Sequence, residues 1–416
     1  MEEKEVELSN IGMVVQVKEM LQKEISIEKR DELKKKLEEL IKYSLRDEYE
    51  KIVEILKYYI DMSEENYTII ALWIIGTYFH DTFLTFPYLF FNAMRGSAKT
   101  RTLRLIRHLA KDGDMLASLS EAVLFRTQGS LCIDEFERID SKEKNALREL
   151  LNTAYKKGGM VKRMRKKHTM EGDSQIVESF DTFRPICMAN ISGMEEVLGD
   201  RCISLILEKS DSAAYVKKVE DFEWNENISK VRFNLIQCRL CSDVVTRNLY
   251  MEWNKYISYT TSLPHLTTLN DTIPHFENED FFCKINSTEI TGRYLELFFP
   301  LILIAQQLNI LDEFLLIIKK MVQTRKIDEI TESKDVMLYQ FISLQDSDWV
   351  SVKQLTTLFR DFCQEEQSED PWLNPKWMGK ALKRLNLYTE KRRIGDVGAQ
   401  VKLNIQKAQT KFKIFQ

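Results

Sequence analysis

The stretch that most constrains the fold is FPYLFFNAMRGSAKTRTLRLIRHLAKDG, residues 86–113. A short aromatic run of strand character, FPYLFF, leads straight into a loop of small residues, and KTRTLRLIRHL follows with helical period. Strand, loop and helix in direct succession is the context in which backbone can hold phosphate. The N–H groups at the helix start point at the anion, a lysine neutralises the outer phosphate oxygens, and a hydroxyl faces a magnesium ion. Lys99 and Thr100 supply the ammonium and the hydroxyl. The general pattern, G-x-x-x-x-G-K-[ST], wants glycine where this chain has Ala93 and Ala98. Gly96 and Ser97 keep the loop centre small, and alanine at 98 costs one methyl provided that its φ is negative. Alone, the window fits either a variant nucleotide loop or a helix start with a coincidental lysine.

A second strand candidate, SLCIDEFERI (130–139), bears on that choice. Apolar residues followed by Asp134 and Glu135 match the partner strand of P-loop ATPases, in which one acid helps to hold Mg²⁺ and the next polarises the attacking water. The plain alternative is a strand ending in two surface acids. A lysine–threonine pair about 35 residues before such acids, each in strand context, favours the ATPase reading. Further strands are expected at RPICMANIS (184–192), closed by Asn190, and at RCISLILEK (201–209), opened by Arg201. A strand-end Asn or Arg also has ordinary structural uses. Strands alternating with helices predict a parallel, helix-covered sheet.

Elsewhere the chain reads as helical. Few breakers, 14 glycines and 7 prolines in 416 residues, favour long helices and short turns. Residues 1–62 are rich in Glu and Lys, with Leu33, Leu37, Leu40 and Ile41 on one stripe, and form either a solvated helical prefix or a partner-binding arm. YTIIALWIIGTYFHD is apolar nearly all round and predicts a buried helix. Residues 210–335 look almost wholly helical, apart from the polar stretch SYTTSLPHLTTLNDTIPHFENED. Residues 336–416 predict short helices followed by a hairpin turning at Gly395–Gly398, a two-stranded wing. The seven cysteines are scattered, and the lone C-x-x-C of Cys238 and Cys241 lacks a second pair at metal spacing, so buried free thiols are expected. The acidic, polar start MEEKEVELSN does not read as a signal peptide, and the apolar runs are too short for membrane spans, so a cytoplasmic protein without membrane contact is expected.

The ordered set LFFNAMRGSAKTRTLRLI, SEAVLFR, LCIDEFE, LRELLNTAYKKGGMVKRM and FRPICMANISGMEEVLGDRCISLIL resembles the ATPase core of minichromosome-maintenance-like AAA+ proteins. The resemblance is to the variants of plasmids, viruses and chromosomal mobile elements, and it spans about residues 66–305. It implies an α/β P-loop AAA+ core at 63–209, a helical lid at 210–335, a C-terminal winged helix at 336–416 and a helical region at 1–62. It implies ATP and Mg²⁺ as cofactors. Arg95, Gly96, Ser97, Ala98, Lys99 and Thr100 would form the phosphate loop, with Thr100 and Asp134 toward the metal. Glu135 would be the catalytic base and Asn190 the sensor orienting the lytic water. Arg201 would be the arginine finger offered to a neighbouring subunit, and Arg293 the second sensor. Arg293 also fits a helix-start arginine paired with Glu296. Nothing in the chain resembles the large N-terminal collar of cellular relatives or a primase domain.

Two basic regions fit a nucleic-acid partner. In KKGGMVKRMRKKHTMEGDSQIVESF (156–180), Lys162, Arg163, Arg165, Lys166, Lys167 and His168 precede a turn, as on a projecting hairpin that could grip a phosphate backbone; a solvated surface is the alternative. The second lies in the C-terminal segment, with Lys376, Lys380, Lys383 and Arg384 at near-helical spacing and Lys391, Arg392 and Arg393 on the wing. A winged helix used only for protein contacts fits as well. The reading is an ATP-driven DNA helicase or translocase working as a ring, expected to be a hexamer, with single-stranded DNA in its channel and duplex on its winged helix. The alternatives are an ATP-dependent DNA-binding initiator without unwinding activity and a degenerate ATPase serving as an adaptor.

Overall fold

The computed structural model describes residues 29, 44–94, 96–116, 124, 127–134, 145–169, 172–190, 196–262, 276, 278–288, 290–332, 334–345, 349–363, 373–394 and 398–413. Arg95, Glu135 and the Leu33–Ile41 stripe lie outside them. The chain divides into two compact units, Met1–Ile318 and Lys319–Gln416.

The first unit is built on five parallel strands: β1 (Tyr88–Ala93), β2 (Asp114–Leu116), β3 (Leu131–Ile133), β6 (Ile186–Asn190) and β7 (Cys202–Leu207), in the order β2-β3-β6-β1-β7. Parallel strands need crossovers, and α3 (Lys99–Leu109) supplies the one from β1 to β2. The central strands are buried over most of their length, which is why they read as apolar runs rather than alternations. The register sets Asn92 beside Asn190 and Ile133 beside Met188. The carboxyl ends of β1, β3 and β6 therefore finish along one edge of the sheet. In open α/β sheets ligands bind outside those ends.

α1 (Leu45–Tyr59) and α2 (Glu64–Phe79) precede the sheet, each started by a serine cap, Ser44 accepting from the Asp47 amide and Ser63 from the Asn66 amide. α2 is buried from Tyr67 to Phe79, as its all-round apolar sequence requires. Its polar tips are satisfied: Trp73 Nε1 donates to the Pro87 carbonyl at 2.8 Å and the Tyr78 hydroxyl to the Leu109 carbonyl at 2.9 Å. Cys132, Cys187, Cys202 and Cys238 are buried free thiols, whereas Cys283 is exposed.

Between α4 (Asn145–Ala154) and β6 the chain makes an antiparallel hairpin, β4 (Met160–Thr169) with β5 (Gly172–Asp181), paired continuously from Met160↔Asp181 to Thr169↔Gly172. The basic run lies on β4. Lys162 is exposed; the side chains of Arg163, Arg165, Lys166 and Lys167 lie outside the described residues. The unit continues with α5 (Glu226–Ser262), α6 (Glu279–Asn286), α7 (Gly292–Gln307) and the start of α8 (Leu311–Glu332). The helical region expected from residue 210 begins later: residues 208–225 are mostly irregular, with one helical turn at Ala213–Val216.

The second unit runs α9 (Lys334–Ser343), β8 (Trp349–Ser351), α10 (Val352–Phe362), α11 (Pro375–Arg384), β9 (Tyr388–Ile394), β10 (Gly398–Leu403) and α12 (Ile405–Phe412). Its sheet has three strands, β8-β10-β9, so the expected two-stranded wing gains a third strand too short for its period to show. Phe359, Leu355, Met378, Leu382, Val401 and Leu403 form its core. α11 opens on Pro375 behind Asn374, whose side chain accepts from the Lys376 and Trp377 amides. Leu387, just past the helix, is fully buried in that core.

Candidate nucleotide-binding site

The loop from β1 to α3 turns twice through left-handed backbone, at Gly96 (φ 79°) and Ala98 (φ 60°). Gly96 needs its freedom doubly, because a Cβ there would also lie 3.2 Å from Lys209 Cε. Ala98 does not meet the condition of a negative φ. It sits left-handed at the cap of α3 without a side-chain cap bond, a conformation costing an L-residue about 1–2 kcal/mol. The loop closes on itself through Ser97, whose hydroxyl donates to the Met94 carbonyl at 2.8 Å, and through Thr102, whose amide donates to the Ala98 carbonyl at 2.9 Å. The α3 N-terminus therefore presents backbone N–H groups that no helical carbonyl can satisfy.

Three residues expected to act together meet here. Lys99 Nζ lies 3.3 Å from Asp134 Oδ1, and the Thr100 hydroxyl donates to Asp134 Oδ2 at 2.6 Å. Lys99 and Asp134 keep only 12% and 14% of their side-chain surface exposed, so the low-dielectric surroundings strengthen their attraction. Asn190, at the end of the strand between β1 and β3, is buried. Thr100 and Asp134 supply hard oxygen donors side by side, the set that Mg²⁺ takes when it keeps most of its waters and shares phosphate oxygens.

Beside the loop a cleft of about 480 Å³ is lined by Gly96 to Arg101 on one side and by Ile60, Asp61, Tyr215 and Val216 on the other. The sequence does not announce this far wall, because it is irregular backbone and a single helical turn, too short to show a period. It is held in place by α3. Arg101 donates to the carbonyls of Tyr215 at 2.9 Å and Lys218 at 2.7 Å, and Arg104 pairs with Glu220 at 2.7 Å. α1 holds the other end: Ser210 donates to Asp61 at 2.6 Å, the Lys218 ammonium lies 3.4 Å from the Tyr58 ring centre, and Tyr59 donates to Asp221. Burial, and then that bond to Asp221, pushes the Tyr59 phenol up to about 12, so it stays a donor at any physiological pH.

Arg201 and Arg293 are not among the residues lining the cleft. Arg201 donates to the Val197 carbonyl, while its buried Nε finds no acceptor among the described residues. Arg293 lies next to it in space, donating from Nε to the Asp200 carbonyl at 3.2 Å, pairing with Glu296 at 2.9 Å and stacking over Tyr155 at 4.6 Å. The Glu296 pairing is the structural alternative left open for Arg293. Lys156 binds the same carboxylate at 2.8 Å. Burial alone would raise the Glu296 carboxyl, but the bonds from Lys156 and Arg293 outweigh it and hold it below the usual carboxylate range.

In the second unit the basic residues differ in their engagement. Arg384 pairs with Asp335 at 2.7 Å, and Arg392 stacks 3.9 Å from the Trp349 ring centre while donating to Gln400 at 3.0 Å. Lys376, Lys380, Lys383, Lys391 and Arg393 are exposed, and among the described residues no carboxylate pairs with them. No helix of the described residues is long and apolar enough to cross a membrane. No family model matches the chain, and no curated protein matches it either.

Proposed function

We propose that this chain is a P-loop ATPase of the AAA+ type that couples ATP hydrolysis to movement along DNA. The observation that carries the reading is the convergence of Lys99, Thr100 and Asp134 at the carboxyl edge of a parallel sheet. Separately these residue types are common; meeting at a helix N-terminus, they are what a nucleoside triphosphate with its metal requires.

In this reading the α3 amides and Lys99 receive the phosphates. Thr100 and Asp134 would hold Mg²⁺, which when bound supplies charge neutralisation between the outer phosphates. Glu135, next along the chain, takes the proton of the attacking water, and Asn190 orients that water. The apolar faces of Ile60, Tyr215 and Val216 receive the base and sugar. Arg201 serves a neighbouring copy's nucleotide, which requires a ring, with six subunits the expected number. The β4–β5 hairpin tracks a single strand through its backbone charge. The succession helix, strand, helix, helix, strand, strand in the second unit supports a winged helix that grips duplex with α11 and the β9–β10 wing.

The test is ATP hydrolysis with and without single-stranded DNA, in the wild type and in Glu135→Gln. The expected outcome is DNA-stimulated turnover that Glu135→Gln abolishes while ATP still binds. Turnover at the wild-type rate in that variant would remove Glu135 from the mechanism. Turnover without strand separation would favour the initiator over the helicase.

A further inference from the structure

α11 places Lys376, Lys380 and Lys383 at i, i+4 and i+7, one exposed stripe, and the half-buried Gly379 lies on its flank. A glycine inside a helix is costly, because it fixes the freest backbone and contributes no packing. Other glycines here have a local cause. Gly158 and Gly292 sit at positive φ, and a Cβ at Gly76 would meet the Phe86 ring at 2.8 Å. Gly379 has none: its backbone is helical, and nothing lies within 4 Å of where its Cβ would be. Among the described residues, nothing gives a reason to forgo a side chain at that position.

We propose that Gly379 is the point of closest approach between α11 and duplex DNA, left bare so that the helix can seat deeply in the major groove. The inference rests on the reading of this unit as duplex-binding and adds a residue to it. Three observations converge on the same surface. The stripe beside Gly379 is cationic, and its three lysines are unpaired among the described residues, as cations awaiting phosphate are. The register Val401↔Lys391 and Val401↔Val350 puts Lys391 on the sheet face that carries the buried Val350 and Val401, the face toward the helices, and strand alternation puts Arg393 there too. Arg392, on the opposite face, is already occupied by Trp349 and Gln400. The major groove of B-DNA admits an α-helix, whereas that of A-form RNA is too narrow, so DNA is the duplex that a bare helix face fits.

The distinguishing property is that stability and binding move in opposite directions. In the full-length chain, Gly379→Ala should raise the melting temperature of the C-terminal unit by about 4 °C. The same variant should weaken binding to a labelled DNA duplex about tenfold, and Gly379→Leu should weaken it further. The Lys380→Ala, Lys383→Ala double variant serves as the control for the underlying reading. If the lysine variant loses duplex affinity while Gly379→Ala binds like wild type, Gly379 is not the contact point and the duplex-binding reading stands without it. If the lysine variant also binds like wild type, both fall. Loss of binding together with a lowered melting temperature would trace the defect to the helix itself and overturn the proposal, as would equal sensitivity of RNA-duplex binding.

Discussion

The charged groups around Lys99 and those on α11 face opposite physical problems. Lys99 and Asp134 are largely withdrawn from water, and with the exposed Thr100 they satisfy one another. The α11 lysines are exposed and have no partner among the described residues. An ion in a nearly buried cleft cannot stand unpaired, since desolvation without compensation costs several kcal/mol, so the cleft carries a stand-in set of contacts. An exposed ammonium is compensated by water and small ions and can wait without one. On the proposed reading, the cleft suits a specific small ligand, for which geometry matters, and the helix face suits a polyelectrolyte, for which charge count matters.

Substitutions can break or sharpen that contrast. The largest effect is expected from a residue outside the cleft lining, to which the proposed function gives the part of a finger in a neighbouring copy's site: Arg201→Ala should cut ATP turnover by roughly 10³-fold with ATP affinity unchanged. Mixing it with Glu135→Gln protein should restore part of the rate, and full turnover by Arg201→Ala as a dilute monomer would exclude action between subunits. Next is Lys99→Ala, which should weaken ATP binding on the order of 10²-fold by calorimetry, because it removes the ammonium and strands Asp134. Unchanged affinity would show the buried pair to be structural only.

The Lys380→Ala, Lys383→Ala variant should instead leave hydrolysis intact. It should lower the slope of log K against log salt by about 1.8, two phosphate contacts' worth of released counterions. A slope unchanged within error would place DNA elsewhere. Ala98→Gly should stabilise the first unit by about 1 kcal/mol, read from chemical denaturation, by relieving a left-handed alanine. No gain there would mean that the loop relaxes when its methyl is removed. The smallest effect concerns acid. Glu296 has a folded pKa below its unfolded one, so its contribution is present above the unfolded value and fades as pH falls through the folded one. Glu296→Gln should therefore cost stability at neutral pH and narrow its gap to wild type below about pH 4. A gap independent of pH would assign the loss to packing.

Much of the cleft was legible because its parts sit at the joints of regular elements. The strands around Phe90, Cys132, Met188 and Leu205 announce themselves by apolar runs; Asp134 and Asn190 fall at strand ends, and Lys99 opens the helix after β1. β2 and β8 were not legible, since DML and WVS are too short to show a period. The far wall of the cleft was hidden for another reason: Tyr215 and Val216 owe their position to Arg101 and Arg104, more than a hundred residues away in the chain. The left-handed Ala98 was missed because a dihedral angle leaves no mark in composition. Arg293 was legible as a helix-start residue paired with Glu296, but not in its bond to a backbone carbonyl on a distant turn.

The β4–β5 hairpin is also a lever. Ten paired residues at about 3.4 Å each make an arm on the order of 34 Å long. Its root is pinned where Thr182 donates its amide to the Gly159 carbonyl, and the chain then enters β6, which ends at Asn190. With an arm of that length, a tilt of about 6° at the root carries the tip about 3.5 Å, close to the rise of one nucleotide along a strand. A small displacement at the root is thus amplified at the far end to a length that, on the proposed reading, matches one nucleotide.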